Sequence, residues 1–177
     1  MNGLIKFSST AKDKIEYAEI HKAAITLNVI LSFILIVLLH TFSNTIGTFF
    51  ESPEIVTMLR IYCLTIIVII PFYHFNYIQQ ANLDFKGVFW SNFIRKAVFF
   101  GAIIFFMFLK NKVSVTSLAF VQLGAASLGS LVAIYFGKKY ATFAGKLSKK
   151  WVSGLFHYGK YTFGTNVSTM LYKTIDK

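Results

Sequence analysis

Hydrophobic residues along this chain are gathered into long runs, and polar residues are concentrated in the short segments between them. Each of the first four runs extends for about twenty residues, the length that an α-helix needs to cross a hydrocarbon core of about 30 Å. The pattern predicts an all-α, polytopic membrane helix bundle with four complete transmembrane helices and a truncated fifth. The predicted spans are residues 23–42, 55–78, 88–109 and 113–136, with the fifth beginning near Leu155.

Two segments outside these spans are polar. Residues 1–22 mix charged and small side chains, and we expect a solvated, partly helical loop there. Residues 137–160 carry six lysines and no acid. Because positive loops are translocated poorly and favour anionic lipid, this basic stretch predicts a cytoplasmic segment.

The remaining basic residues agree with that orientation when the spans alternate from residues 137–160. The predicted outside segments hold only Arg60, Lys110 and Lys112, which is the bias that the positive-inside rule describes. The inside segments hold thirteen of the eighteen basic residues, namely Lys6, Lys12, Lys14, Lys22, Lys86, Arg95, Lys96, Lys138, Lys139, Lys146, Lys149, Lys150 and Lys160.

Composition supports the membrane class. Hydrophobic residues make up 55% of the chain and charged residues 14%, against about 25% charged residues in soluble domains. The net charge of +11 would indicate a nucleic-acid partner in a soluble protein, but here it resides in loops between spans and predicts none. The single cysteine, Cys63, lies within a span, and we expect a packed thiol.

Ionisable and polar groups at membrane depth need a partner, a cavity or an interface. Arg60 either extends to the outer headgroups or faces a central cavity. Arg95 and Lys96 lie close to the inner boundary, where one of the two must point away from lipid more than the other. His74 and Asn76 follow the helix-bending Pro71, and His74 is either a packing histidine or a proton site.

Small residues recur four apart in the fourth span, as Ala125 with Gly129 and Ala126 with Ser130, which predicts close helix packing. The last segment is unusually polar for a span. Thr165, Thr169, Lys173 and Asp176 share one helical face, as expected for an aqueous path or a helix contact. The sequence contains no metal-ligand spacing, phosphate loop or nucleophile with a base, so we predict no cofactor, no metal and no enzyme.

Four short motifs carry a family resemblance. The segments NGLIKF (2–7), QQANLDFK (79–86), LFHYGK (155–160) and STMLYKTIDK (168–177) resemble the polysaccharide-biosynthesis, O-antigen-type flippases of the multidrug/oligosaccharidyl-lipid/polysaccharide exporter superfamily. In that family they correspond to the end of the second span, the link between spans four and five, and the start and end of span seven.

The resemblance implies two six-helix lobes that work by alternating access in a bacterial inner membrane. Residues 1–136 would be part of the N-terminal lobe (spans three to six), residues 137–154 the basic cytoplasmic linker, and residues 155–177 the first helix of the C-terminal lobe. We therefore expect the chain to be a fragment of a longer flippase, unable to transport by itself.

The implied substrate is an oligosaccharide linked to a polyprenyl diphosphate, with a proton or sodium as the coupling ion. Arg60 and Lys173 are the candidates for shielding the diphosphate, and Thr165, Asn166 and Thr169 for contacting sugar hydroxyls. The complete set of predicted cavity residues is Arg60, His74, Asn76, Thr165, Asn166, Thr169, Lys173 and Asp176. Two alternatives stay open: a cation-coupled drug antiporter, and a non-transporting scaffold that uses the small-residue face of the fourth span.

Overall fold

The computed structural model describes residues 2–108, 114–142 and 145–175, and every regular element in those residues is helical. Four helices, α2 to α5, are long and apolar enough to cross a membrane, which confirms the predicted bundle with four spans. The elements are α1 (Asn2–Ser9), α2 (Lys14–Phe49), α3 (Pro53–Ala81), α4 (Phe85–Phe108), α5 (Val115–Gly137), a 3-10 turn (Lys138–Tyr140) and α6 (Lys149–Ile175).

The observed helices extend beyond the hydrophobic runs that predicted them. The α2 helix begins at Lys14 rather than at residue 23, and α6 begins at Lys149 rather than near Leu155. Lysine, serine and glutamate are tolerated well in helices, so hydropathy locates the apolar part of each helix and misses its polar end. Pro53 starts α3 as its fixed φ favours, although the Ser52 side chain makes no capping bond.

The expectation of a solvated loop at residues 1–22 is wrong for much of that segment. Leu4 and Ile20 are fully buried, together with His21. Asp13 caps α2 by accepting a hydrogen bond from the Glu16 amide at 2.7 Å. The charged residues occupy one side of the helix that follows, while Ile20 and its neighbours on the other side pack inward.

The α3 helix lies at the centre of the bundle, in contact with α1, α2, α4 and α5, while α6 packs only against α1 and α2 among the described elements. The small residues of α5 face α3 and α4, where Ala125, Ala126 and Ser130 are buried. A Cβ at Gly129 would lie 3.0 Å from the Arg95 Cβ, so only a small residue permits this approach. The prediction of close packing on this face is confirmed.

Two further contacts support the α2–α3–α5 packing. The Ser130 hydroxyl donates to the carbonyl oxygen of Val68 in α3 at 2.7 Å, just before Pro71 interrupts the hydrogen-bond ladder of that helix. The Cys63 thiol is buried 3.9 Å from the Ile36 carbonyl oxygen, as expected for a packed cysteine.

The ends of α1, α3 and α5 meet the beginnings of α2, α4 and α6 at one end of the bundle, which we call the basic end. Three contacts join its segments: Lys139 Nζ to Asp84 Oδ2 at 2.8 Å, Lys22 Nζ to the Gly145 carbonyl at 2.9 Å, and Asn82 Nδ2 to the Tyr17 hydroxyl at 2.7 Å. The positive-inside rule predicts that this end is cytoplasmic.

Candidate functional site

The last turns of α3 are polar and yet buried. His74 is 1% exposed, Asn76 3% and Gln79 0%. Neighbouring helices cover α3 on several sides, so each of these side chains meets a different partner. Buried polar groups in an apolar surrounding require hydrogen bonds or a function, and the three residues are therefore considered in turn.

His74 faces α2, where it meets a second buried histidine. The rings of His21 and His74 lie edge to face with centroids 5.6 Å apart. His21 is 2% exposed, its Nε2 lies 3.2 Å from the Ser8 hydroxyl of α1, and its ring packs against Tyr17 at 4.2 Å. Within the described residues, Nδ1 of each histidine is buried without a hydrogen-bond partner. We call His21 and His74 the histidine pair.

Asn76 and Gln79 connect α3 to the other side of the bundle. The Ser91 hydroxyl of α4 donates to Asn76 Oδ1 at 2.8 Å. Gln79 Nε2 donates to the Phe75 carbonyl at 3.1 Å and to the Ala133 carbonyl of α5 at 3.4 Å. These bonds join α3 to α4 and α5, while Asn76 Nδ2 and Gln79 Oε1 are buried without a hydrogen-bond partner among the described residues.

A crevice of about 490 Å³ lies between α1, α2 and α6. Its walls are mostly apolar, with Leu27, Leu31 and Phe163 among them, and Lys160 is part of its lining. At its margin, Lys6 Nζ stands 5.0 Å from the centre of the Tyr158 ring, which also lines the crevice. An apolar slot with two exposed ammonium groups beside it fits an acyl or prenyl chain that carries an anionic headgroup.

The predicted cavity residues are not gathered in one place. Arg60 is exposed near the start of α3, at the end of the bundle opposite the basic end. Thr165, Asn166 and Thr169 are exposed along the second half of α6. The Thr165 and Thr169 hydroxyls donate to carbonyls of α6 one turn back, at 3.0 Å and 2.8 Å.

Two predicted residues lie partly or wholly outside the described structure. The backbone of Lys173 is part of α6, but its side chain is outside the described residues, and so is Asp176. Their predicted roles therefore remain expectations.

Arg95 has a role that the sequence predicted only in part. Its guanidinium lies 4.6 Å from the centre of the Phe72 ring, whereas the adjacent Lys96 is exposed. This confirms that one residue of the pair turns away from lipid. A cation placed over an aromatic face gains favourable electrostatic energy, which offsets part of the cost of placing Arg95 between α3, α4 and α5.

The basic end is closed by a small electrostatic network around Asp84. Lys139 forms an ion pair with the Asp84 carboxylate, and the Tyr140 hydroxyl donates to the same oxygen at 3.0 Å. These hydrogen bonds, that of Lys139 first, hold the pKa of the Asp84 carboxyl below its ordinary value. The network connects the turn between α3 and α4 to the segment that follows α5.

Four apolar spans, a basic end and buried polar contacts between helices define the class of this molecule, a polytopic helical membrane protein. Searches of curated proteins and of solved structures return no match to it. A family model described as polysaccharide biosynthesis protein matches residues 2–177, and the chain belongs to that family.

Proposed function

We propose that this chain forms part of a bacterial inner-membrane flippase, which moves an oligosaccharide linked to a polyprenyl diphosphate from the inner to the outer leaflet for polysaccharide export. The observation that carries the proposal is the crevice between α1, α2 and α6, whose apolar walls and adjoining Lys6 and Lys160 fit a lipid with a phosphate headgroup. Family membership supports the same substrate class.

In this proposal the α1 to α5 region belongs to the N-terminal lobe and α6 is the first helix of the C-terminal lobe. A diphosphate and sugars cannot cross hydrocarbon unaided, so the transporter must supply cations and hydrogen-bonding groups along the route. Lys6 and Lys160 would receive the headgroup at the basic end. Arg60 and Lys173 would shield the diphosphate further along, while Thr165, Asn166 and Thr169 would contact sugar hydroxyls.

The two alternatives lose support from the fold. The scaffold hypothesis placed a partner on the small-residue face of α5, but Ala125, Ala126 and Ser130 are already covered by helices of the same chain. The drug-antiporter hypothesis requires buried acids, and none of the carboxylates among the described residues is buried. Asp176, the acid on which it depended, lies outside those residues.

The role of the crevice in binding the headgroup can be tested by measuring polysaccharide export in a bacterial strain that lacks its own flippase. The double variant Lys6→Gln/Lys160→Gln, made in the natural protein that carries this chain, should lower surface polysaccharide about tenfold or more, because each hydrogen bond to a charged group contributes about 1.5–3 kcal/mol. The matched control is Lys146→Gln/Lys149→Gln, which removes the same charge from the basic end away from the crevice. Equal export by the two double variants, at equal membrane levels, would refute the headgroup role.

The diphosphate-shielding role is tested separately. Arg60→Ala and Lys173→Ala are each expected to reduce export while leaving the amount of protein in the membrane unchanged. Wild-type export from both variants would remove these two residues from the mechanism.

A further inference from the structure

We propose that the histidine pair, His21 with His74, is the proton-binding site that couples a proton to movement of α1 and α2 against α3. The inference builds on the proposed transport function and assigns its coupling ion to particular residues. Its basis is the geometry of the pair: two imidazoles on different helices, 5.6 Å apart, each less than 3% exposed. Neither the family match nor the crevice assigns these residues a role.

In the packed arrangement the surroundings of the pair favour neutral rings over charged ones. Its ring contacts and hydrogen bonds within the described residues come from Ser8 on α1, Tyr17 on α2 and Phe75 on α3, none of which carries a charge. No carboxylate in the described part of the chain lies within ion-pair distance of either ring. A second proton would place two cations side by side in an apolar surrounding.

The unpartnered nitrogens show where the proton would be held. Nδ1 of His21 and Nδ1 of His74 are both buried without a partner among the described residues, so each ring has an unused acceptor or donor. Such groups cost free energy in a packed interior unless they bind something. A proton bound at either Nδ1 would make it an N–H donor, so loosening of the junction has to bring a water molecule to accept from it.

One hydrogen bond and one ring contact join the basic end to the pair. Asn82, at the end of α3, donates to the Tyr17 hydroxyl at 2.7 Å, and the Tyr17 ring packs directly against His21. Each histidine of the pair lies seven residues, about two helical turns, from the end of its helix at that surface. Protons from the predicted cytoplasmic side therefore have a shorter route to the pair than protons from the opposite end.

Proton binding and close packing of this junction oppose each other. A neutral pair is compatible with burial, whereas an imidazolium with no counter-charge requires water or an anion beside it. Protonation should therefore loosen α1 and the first turns of α2 from α3, and deprotonation should close them again. Since a histidine that is open to water titrates near pH 6.5, lowering the pH through that value favours the loosened junction over the packed one.

Hydrogen–deuterium exchange of the natural protein in lipid nanodiscs tests this coupling. After correction for the intrinsic effect of pH on exchange, peptides covering residues 2–24 and 70–82 should exchange about tenfold faster or more at about pH 5.5 than at about pH 8, because one pKa unit between two states changes their equilibrium tenfold. His74→Gln should abolish this difference. His40→Gln and His157→Gln, which alter exposed histidines, should keep it.

The outcomes separate this inference from the proposed function. An unchanged pH dependence in His74→Gln and in His21→Gln would overturn the proton site, even if export of polysaccharide continued to support the flippase. If His74→Gln lowers the membrane level, His21→Gln alone decides, since that variant leaves every residue of α3 unchanged. Loss of the pH dependence in either pair variant, with its retention in both controls, supports the site independently of the substrate.

Discussion

Ser130 forms a hydrogen bond between helices in the interior of the bundle, and its removal can be tested against a close control. Its hydroxyl donates to the Val68 carbonyl of α3 at 2.7 Å, and the residue is 3% exposed. Ser127, on the same helix, donates instead to the Leu123 carbonyl of α5 itself at 2.8 Å. Replacing each serine by alanine removes the same hydroxyl and keeps the small side chain that α5 packing requires.

The expected cost of Ser130→Ala is about 0.6 kcal/mol and at most about 1.7 kcal/mol, the range found for side-chain hydrogen bonds between membrane helices. We expect the lower part of that range, because the Val68 carbonyl can still accept the helical bond from the amide four residues later. A loss of about 0.6 kcal/mol changes the folding equilibrium roughly threefold. For Ser127→Ala we expect no loss, since a hydroxyl bonded within its own helix slightly destabilises that helix.

Reversible unfolding in mixed detergent micelles, followed by circular dichroism, measures the difference between the two variants. Ser130→Ala should unfold at a lower denaturing-detergent fraction than the wild type, and Ser127→Ala should not. If Ser127→Ala lost as much stability as Ser130→Ala, or more, the bond to Val68 would not stabilise the α3–α5 contact and our reasoning would fail.

Two further predictions concern Gly87 and Asp84. A Cβ at Gly87 would overlap the Gln79 side chain, so Gly87→Ala should cost about 1–3 kcal/mol in the same unfolding assay. The control is Gly101→Ala, which should cost no stability because the added Cβ would meet no neighbouring heavy atom within 4 Å. A Gly87→Ala variant as stable as Gly101→Ala would contradict the packing around Gly87. For Asp84, hydrogen bonds led by that of Lys139 lower the pKa of the folded carboxyl below its ordinary value of 3.8. The ionised carboxylate therefore stabilises the folded protein at pH values above 3.8, and this stabilisation is lost as the pH falls through the lower pKa of the folded state. The stability difference between wild type and Asp84→Asn should therefore be constant between about pH 7 and 5 and shrink below about pH 4; a difference that grows in acid would show that the sign of the effect is wrong.

Much of the fold follows from the length of the apolar runs. A run of about twenty apolar residues can cross the hydrocarbon in few ways other than as a helix, because every backbone amide must be bonded internally. Helix ends in water are under no such constraint, which is why Lys14 and Lys149 begin α2 and α6 well before the hydropathy rises.

The sequence alone pointed to only one residue of the histidine pair. The sequence marked His74, a polar residue within a span after a proline, as unusual. His21 lies between Glu19 and Lys22, and its charged surroundings indicated a loop rather than a buried position. The periodic burial of Ile20 and Ala23 was the one signal available, and it becomes clear only once α2 is known to start early.

Contacts between distant residues depend on how the helices pack. No spacing in the sequence places residue 21 beside residue 74, or the Arg95 guanidinium over Phe72. Those approaches result from α2 and α4 packing on opposite sides of α3, which the apolar pattern leaves undetermined.

The segment after α5 acts as a much shorter tether than its residue count indicates. Gly145 packs against the backbone of Ala18 in α2, and its carbonyl accepts a hydrogen bond from Lys22. From that anchor to the start of α6 at Lys149 there are four residue steps, which span at most about 14 Å when fully extended. While the Gly145 contacts hold, the first turn of α6 must stay within that distance of α2 and move with it. Any larger separation of the two helices requires Gly145 to detach from α2 first.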